Sequence, residues 1–534
     1  MDVPHAPDGA TALVERIEGL LAPLESEAAR AWWWSNVDTS DDHDRARVAA
    51  ELALTDALSD RAAYRDVLDA LAAGGDGAAG IDPLVVRRLT LLRDAMAPHQ
   101  IDPALNRRII ELGTEVDSVF SAFRGTIDGR RVDDNEIADI LRTSDDIDER
   151  RLAWEASKQV GAEVSGRVVE LVRLRNEAAR SLGYRDHFDL SLAVTELDEP
   201  ALLALLDEVD EVTSAPFAAW KHELDAALAQ RFGCDVDDLR PWHHDNVFFQ
   251  AAPASAGGDL DELFAGADLV ALTRRTYAGL GIDIDPLLER SDLLPRDGKN
   301  QHAFSVDLDR GTDIRVLCNV VPTQEWAAVM LHEFGHAAYS AGVDPSLPWG
   351  LRTMHSLTTE GIAMMFESLS TDRTWLTTVA EVPADVVDAL ELQLAGERRA
   401  DLLTFARWVL VMTNFERGLY ADPDADHDTR WWDLVERYQL IRRPDGRSAP
   451  DWAAKIHLAS APVYYQNYLL GELMALQLGA ELRSRFGGLV DRRAAGRFVV
   501  DEVFGPGATL RWDDLIERAT GHPLTARHLA EALE

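Results

Sequence analysis

The stretch His332-Glu333-Phe334-Gly335-His336 brings together residue types that can do chemistry. Residues four apart on a helix stand one above the other on the same face. His332 and His336 can therefore offer two imidazole nitrogens to one tetrahedral ion, with Glu333 beside them to take a proton from a water. A catalytic zinc wants three protein ligands and one open position. Glu360 is the expected third ligand, near the start of a second helical run from Thr358 to Glu367, giving one zinc per chain on His332, His336 and Glu360. Glu367 lies two turns further along that face; it either orients a ligand histidine or is a solvated or salt-bridged carboxylate.

These groups need elements to hold them. Pro322-Thr323 supplies a start signal, Glu325 a first-turn negative charge, and Ala327, Ala328, Met330, Leu331, Ala337 and Ala338 favour helix, which predicts a helix across the histidines. Just upstream, alternation from His302 to Val321 around an Asp309–Thr312 turn predicts a strand hairpin, whose edge suits an extended peptide. Downstream, Lys455-Ile456-His457 precedes Pro462 to Tyr468. Pro462 suits a helix's first turn, and Tyr465 and Tyr468 would share a face. A tyrosine pair so placed is ordinarily core; its nearness to a histidine and a rare lysine points to function instead.

The remaining chain reads as helical. Residues 1–95 predict two or three amphipathic helices, one from Leu13 to Ala31, then Trp32-Trp33-Trp34 as packing anchors, then one from Arg45 to Leu71 broken at Gly74-Gly75. Asp128-Gly129 predicts a hairpin turn. Ser144 to Asp146 caps a helix through Val160, and Val164 to Leu182 predicts another, ended by Gly183. Helix follows over 199–232, ending at Gly233. Adjacent His243 and His244 cannot share a helix face, so surface or hydrogen-bonded roles are expected rather than metal.

With 534 residues, 46% of them hydrophobic, the chain can bury a large core. The net charge of −40 argues against nucleic acid and anionic membranes as partners. Lysine is nearly absent, confined to Lys158, Lys221, Lys299 and Lys455, which fits a salt-adapted or high-GC source. Two cysteines, Cys234 and Cys318, make no disulfide framework. The first residues lack a signal-peptide pattern and no run of 18 apolar residues occurs, so a cytoplasmic protein without a membrane span is expected.

Taken together, the motifs resemble the angiotensin-converting-enzyme family of zinc peptidyl-dipeptidases and, more distantly, the thimet oligopeptidases. His-Glu-x-x-His, twenty-three residues, then Glu360 is the spacing of the former. The resemblance is strongest over Asn246–Gln250, His302–Tyr339 and Lys455–Tyr468. It implies a mainly α, ellipsoidal, two-lobed metallopeptidase with a deep central cleft and a small β-hairpin next to the zinc helix. Residues 1–95 would be lid helices, and 96–534 one integrated catalytic unit. It implies Glu333 as general base, with His457 and Tyr468 stabilising the oxyanion. His302 and the backbones of Ala303 and Ser305 would bind substrate, and Gln250, Lys455 and Tyr465 would hold its C-terminal carboxylate. The substrates implied are short peptides cut by a monomer. The rivals are a thimet-type endo-oligopeptidase and a peptide-binding protein without catalysis.

Three departures matter. Met364 stands where the family has an Asp, and Glu367 follows the thimet pattern. The Lys455–Tyr468 segment is one residue longer, leaving Tyr464 a rival to Tyr465. The arginines of the family's two chloride sites are replaced by Asn467 and Val435, so no specific chloride activation is expected.

Overall fold

The computed structural model describes residues 7–38, 40–74, 81–253 and 260–534. It is 72% helical, and among the described residues the strands form only two small antiparallel pairs, so the chain is mainly α. The first pair joins Gly125–Ile127 to Arg130–Val132 through Asp128 and Gly129, both at positive φ, as an Asp-Gly turn requires. The second pairs Phe304–Asp307 with Ile314–Leu317, in the register Ser305 to Val316. Asp309 closes its turn by accepting the Thr312 and Asp313 amides.

The hairpin leads into the helix Gln324–Gly342, capped by the Thr323 hydroxyl on the Trp326 amide, with Glu325 in its first turn. The second helix, Ser356–Glu367, is capped by the His355 ring on the Leu357 amide. A third, Tyr465–Phe486, packs against the second. Glycines let these three approach closely. A Cβ on Gly335 would sit 3.0 Å from the Ala363 Cα, and one on Gly361 would sit 3.0 Å from the Gly471 carbonyl. Gly335 is thus fixed by helix packing as well as lying between the two histidines.

Several sequence expectations need correction. The helices over 144–160 and 164–182 are one continuous helix, Ile147–Ser181. Gly161 does not break it; a Cβ there would lie 2.4 Å from the Pro450 carbonyl, so glycine admits the Asp451–Ala454 turn against the helix. The N-terminal region holds four helices rather than two or three: Pro7–Val37, Asp41–Leu58, Arg61–Gly74 and Pro83–Met96. The run from Arg45 to Leu71 is interrupted because Asp60 caps a new helix through the Ala62 and Ala63 amides. The break expected at Gly75, and most of the loop over 251–258, lie outside the described residues. His243 and His244 are both buried rather than at the surface; His243 Nδ1 accepts the Arg240 amide. Pro462 precedes its helix instead of starting it. The tryptophans divide: Trp32 and Trp33 pack on Phe304, while Trp34 is half exposed.

The four N-terminal helices share an apolar cluster, including Val14, Ile17, Val67, Leu89 and Met96, separate from the main core that runs from Leu112 to Leu533. Polar contacts tie them to the rest. Glu25 grips the Arg310 guanidinium of the hairpin turn at 2.5 and 2.7 Å, and Arg310 also lies 4.0 Å above the Trp349 ring. Arg87 pairs with Glu196. Among the described residues no helix is long and apolar enough to cross a membrane.

Candidate active site

His332 and His336 project from one face of their helix with Nε2 atoms 3.2 Å apart. Their Nδ1 atoms point away and are already engaged, His332 with Glu367 Oε2 at 2.8 Å and His336 with Thr359 Oγ1 at 2.7 Å. The Glu367 carboxylate can only accept, so it fixes His332 with Nε2 as the free acceptor, and the Thr359 hydroxyl can accept from His336 Nδ1–H to leave its Nε2 free in the same way. Glu360 Oε2 lies 3.8 Å from His332 Nε2, and the three ligand atoms fall within 4.8 Å of one another. Two nitrogen lone pairs and a carboxylate facing one point repel unless a cation lies between them. The donor set therefore fits a tetrahedral zinc. Thr359 went unnoticed in the sequence, although an outward partner for the second histidine is a general need of such sites.

Electrostatics follow the burial. Burial pushes His336 down to about 3, leaving its imidazole neutral, as a ligand must be. Burial lowers His332 too, but the Glu367 carboxylate, with Glu333 and Glu360, outweighs it and raises this group. Burial and the charges of Glu360 and Glu367 push Glu333 up to about 7, against the pull of His332 and of the Ser305 amide, which donates to its carboxylate. The hairpin thus touches the base directly through Ser305.

A second cluster lies around Lys455. Its ammonium donates to Gln250 Oε1 at 2.6 Å and lies 5.4 Å from the ring centres of Phe248, Trp408 and Tyr465. All four lysines of this chain are buried. Lys221 pairs with Asp225 and Lys299 with Asp292. Lys158 donates to the Val247 carbonyl and sits 3.3 Å over the Phe248 ring centre, with Asp451 nearby in charge. Lys455 has no carboxylate against it among the described residues, and burial alone pushes it down to about 8.

Tyr465, not Tyr464, is the tyrosine at Lys455; its ring also lies 5.1 Å from that of His457. Tyr464 and Tyr468 stack edge-on at 5.1 Å, and the Glu360 charge adds to burial in raising both phenols, so both stay protonated donors at neutral pH. His457 is pushed down to about 4 by burial and the Lys455 charge, and its buried Nδ1 has no hydrogen-bond partner among the described residues. His302 is exposed and Ala303 half-buried; the strand begins after them, at Phe304.

Residues 5–212 match the model of the family described as Peptidase_M2, angiotensin-converting enzyme. No curated protein matches the chain. The matched segment ends well before His332, so the family match and the histidine–glutamate cluster are separate observations, and both support a zinc metallopeptidase. By this match, and by the motifs beyond it, the chain is similar to the angiotensin-converting-enzyme family of zinc metallopeptidases.

Proposed function

We propose that this chain is a zinc peptidase that shortens small peptides from the C-terminus, releasing dipeptides. The supporting observation is Lys455. A buried ammonium with only an amide oxygen and aromatic rings around it pays for its desolvation without a counter-charge. The terminal carboxylate of a peptide supplies that charge, with the Gln250 amide and the Tyr465 phenol as further donors. Holding a peptide by its end sets the scissile bond at a fixed distance from it.

His332, His336 and Glu360 would hold the zinc, which when bound polarises a carbonyl and makes water a better nucleophile. Glu333 takes the proton of the attacking water and passes it to the leaving amine. His457, with its unpaired buried Nδ1, and Tyr468 donate to the developing oxyanion. His302 and the backbones of Ala303 and Ser305 line the substrate path along the hairpin edge. The first 95 residues are read as a lid and 96–534 as the catalytic unit, in keeping with their separate apolar clusters.

A thimet-type endo-oligopeptidase is the second reading, favoured by Glu367 on His332. One peptide offered as free acid and as C-terminal amide separates the two, with products read by mass spectrometry. Dipeptide release from the acid and poor cleavage of the amide are expected. Equal cleavage of both at internal bonds overturns the dipeptidase reading, and zinc binding without any turnover leaves a peptide-binding protein.

A further inference from the structure

The residues between His457 and Tyr468 form a short helical turn, His457–Ser460, then an irregular link to the helix Tyr465–Phe486. Within that link Val463 has φ of 55°, a left-handed conformation that a β-branched residue rarely adopts. Such a conformation persists only when its surroundings over-determine it. Two groups from distant parts of the chain hold the link here, Glu416 buried and Arg175 partly buried. Glu416, in the helix Ala384–Ala421, accepts the Val463 amide at 2.7 Å. Arg175, in the helix Ile147–Ser181, donates to the Leu458 and Ala459 carbonyls at 3.3 and 2.5 Å. The same guanidinium donates to the Tyr420 hydroxyl at 3.2 Å, one helical turn on from Glu416. Gln466 closes the link by donating to the Val463 carbonyl at 2.6 Å.

Glu416 is buried in the core, with the Arg175 guanidinium as the positive charge acting on it. Burial pushes its carboxyl up to about 8, with the Val463 amide and the Arg175 charge pulling the other way. Its hydrogen bond goes to the backbone amide of Val463, the residue of this link with positive φ. We propose that Glu416, assisted by Arg175, is a positioning residue that locks Val463 in its left-handed conformation and so fixes Tyr468 relative to His457. The inference rests on the peptidase reading given above. Glu416 touches neither the zinc ligands nor Lys455; it acts through the backbone. If Val463 returned to an ordinary φ, the chain would enter the helix Tyr465–Phe486 in a different direction, and the two oxyanion donors would no longer converge.

The test compares the parent with Glu416→Gln, Glu416→Leu and Glu416→Leu in a Val463→Gly background. Hydrogen exchange at the Val463 amide should be slow in the parent and in Glu416→Gln, which keeps an acceptor, and fast in Glu416→Leu. Turnover of a free-acid peptide should follow the same order. In Glu416→Leu, kcat should fall roughly ten- to hundredfold, as expected for a displacement on the order of 1 Å, with zinc content unchanged. A phosphinic peptide analogue, which mimics the oxyanion, should lose affinity in step with kcat, and should lose more than a product dipeptide, which does not reach the oxyanion donors. Glycine takes φ near 55° without strain, so Glu416→Leu should cost less in the Val463→Gly background. Fast exchange at Val463 in the parent overturns the proposal without any variant, even if Glu416→Leu fails to fold. Unchanged kcat and analogue affinity in Glu416→Leu overturn it, as does a Glu416→Gln enzyme as impaired as the leucine variant. A parent that cleaves no peptide fails the peptidase reading instead, and this is seen before any variant is made.

Discussion

Glu360 and Glu333 make separable demands on one site. Removing Glu360 takes away a ligand, whereas removing Glu333 leaves both histidines and Glu360 in place. Glu360→Ala should therefore lose zinc on dialysis against a weak chelator. Glu333→Ala should retain it and lose about 10²- to 10⁴-fold in kcat. Glu367→Ala and Thr359→Ala, which free the two Nδ1 atoms, should weaken zinc by about 10- to 100-fold. Full metal content in Glu360→Ala contradicts the ligand set. Lys455 carries a pH prediction. Its folded value, about 8, lies below its ordinary 10.5, so the folded state binds fewer protons between those limits. The buried charge therefore costs stability below pH 8, and that cost is relieved as pH rises from about 8 to 10.5. Binding of a terminal carboxylate needs the charged form, so KM for free-acid peptides should climb above about pH 8. Lys455→Ala should raise KM by the equivalent of ~2–5 kcal/mol and remove that dependence; a KM flat across pH 8 in the parent contradicts it.

The long helix Ile147–Ser181 supports much of this arrangement. It carries Lys158 and Arg175 to different parts of the site region, and Gly161 lets the Asp451–Ala454 turn settle on it immediately before Lys455. Asp451 is held there by Arg447 and by the Trp432 indole at 3.2 Å. Gly161→Ala would force the Pro450 backbone away, since its carbonyl lies 2.4 Å from the added carbon and is not the tip of a flexible side chain. A loss of roughly 1–3 kcal/mol in stability follows from such overpacking, with a lower Tm in a thermal melt. KM for free-acid peptides should rise as well, because the displaced turn carries Lys455. Gly166→Ala, whose added carbon meets nothing within 4 Å, is the matching control in the same helix and should leave both unchanged.

Taken whole, the molecule presents an acidic surface whose positive charges are arginines, because every lysine is inside. Arginines are engaged in pairs such as Arg185 with Glu199 and Arg443 with Glu436, yet 93 acidic residues against 53 basic ones leave the net −40. Self-repulsion destabilises the compact state, and monovalent salt of any kind screens it. Stability should therefore rise alike with sodium chloride and sodium acetate. Activity should also respond alike at matched ionic strength. Val435 and Asn467, which the resemblance would place where anion-binding arginines are expected, are buried, and Lys158, lining the same cavity as Val435, is already bonded to the Val247 carbonyl. A saturable rise in kcat/KM with chloride but not acetate would contradict this.

The sequence alone determined what local spacing and capping can determine. The histidines four apart, the Thr323 cap, the Asp-Gly turn and the Gly233 stop each depend on a few adjacent residues, and each appears as expected. Glu360 was legible because a third ligand had to follow, and its spacing matched a known pattern. The tertiary structure decided what depends on residues far apart in the chain. Gly161 looks like a helix break in sequence and is instead a contact with Pro450. His243 and His244 read as surface or hydrogen-bonded residues; His243 is hydrogen-bonded to the Arg240 amide, and both are buried because the segment is tied to Arg150 through its carbonyls. Tyr464 and Tyr465 are equivalent on paper; only packing sends Tyr465 to Lys455 and leaves Tyr464 facing the Glu360 charge. Thr359 and Glu416 carry no motif, since their partners lie 23 and 47 residues away. Periodicity records which face of an element is buried, but not what meets it there.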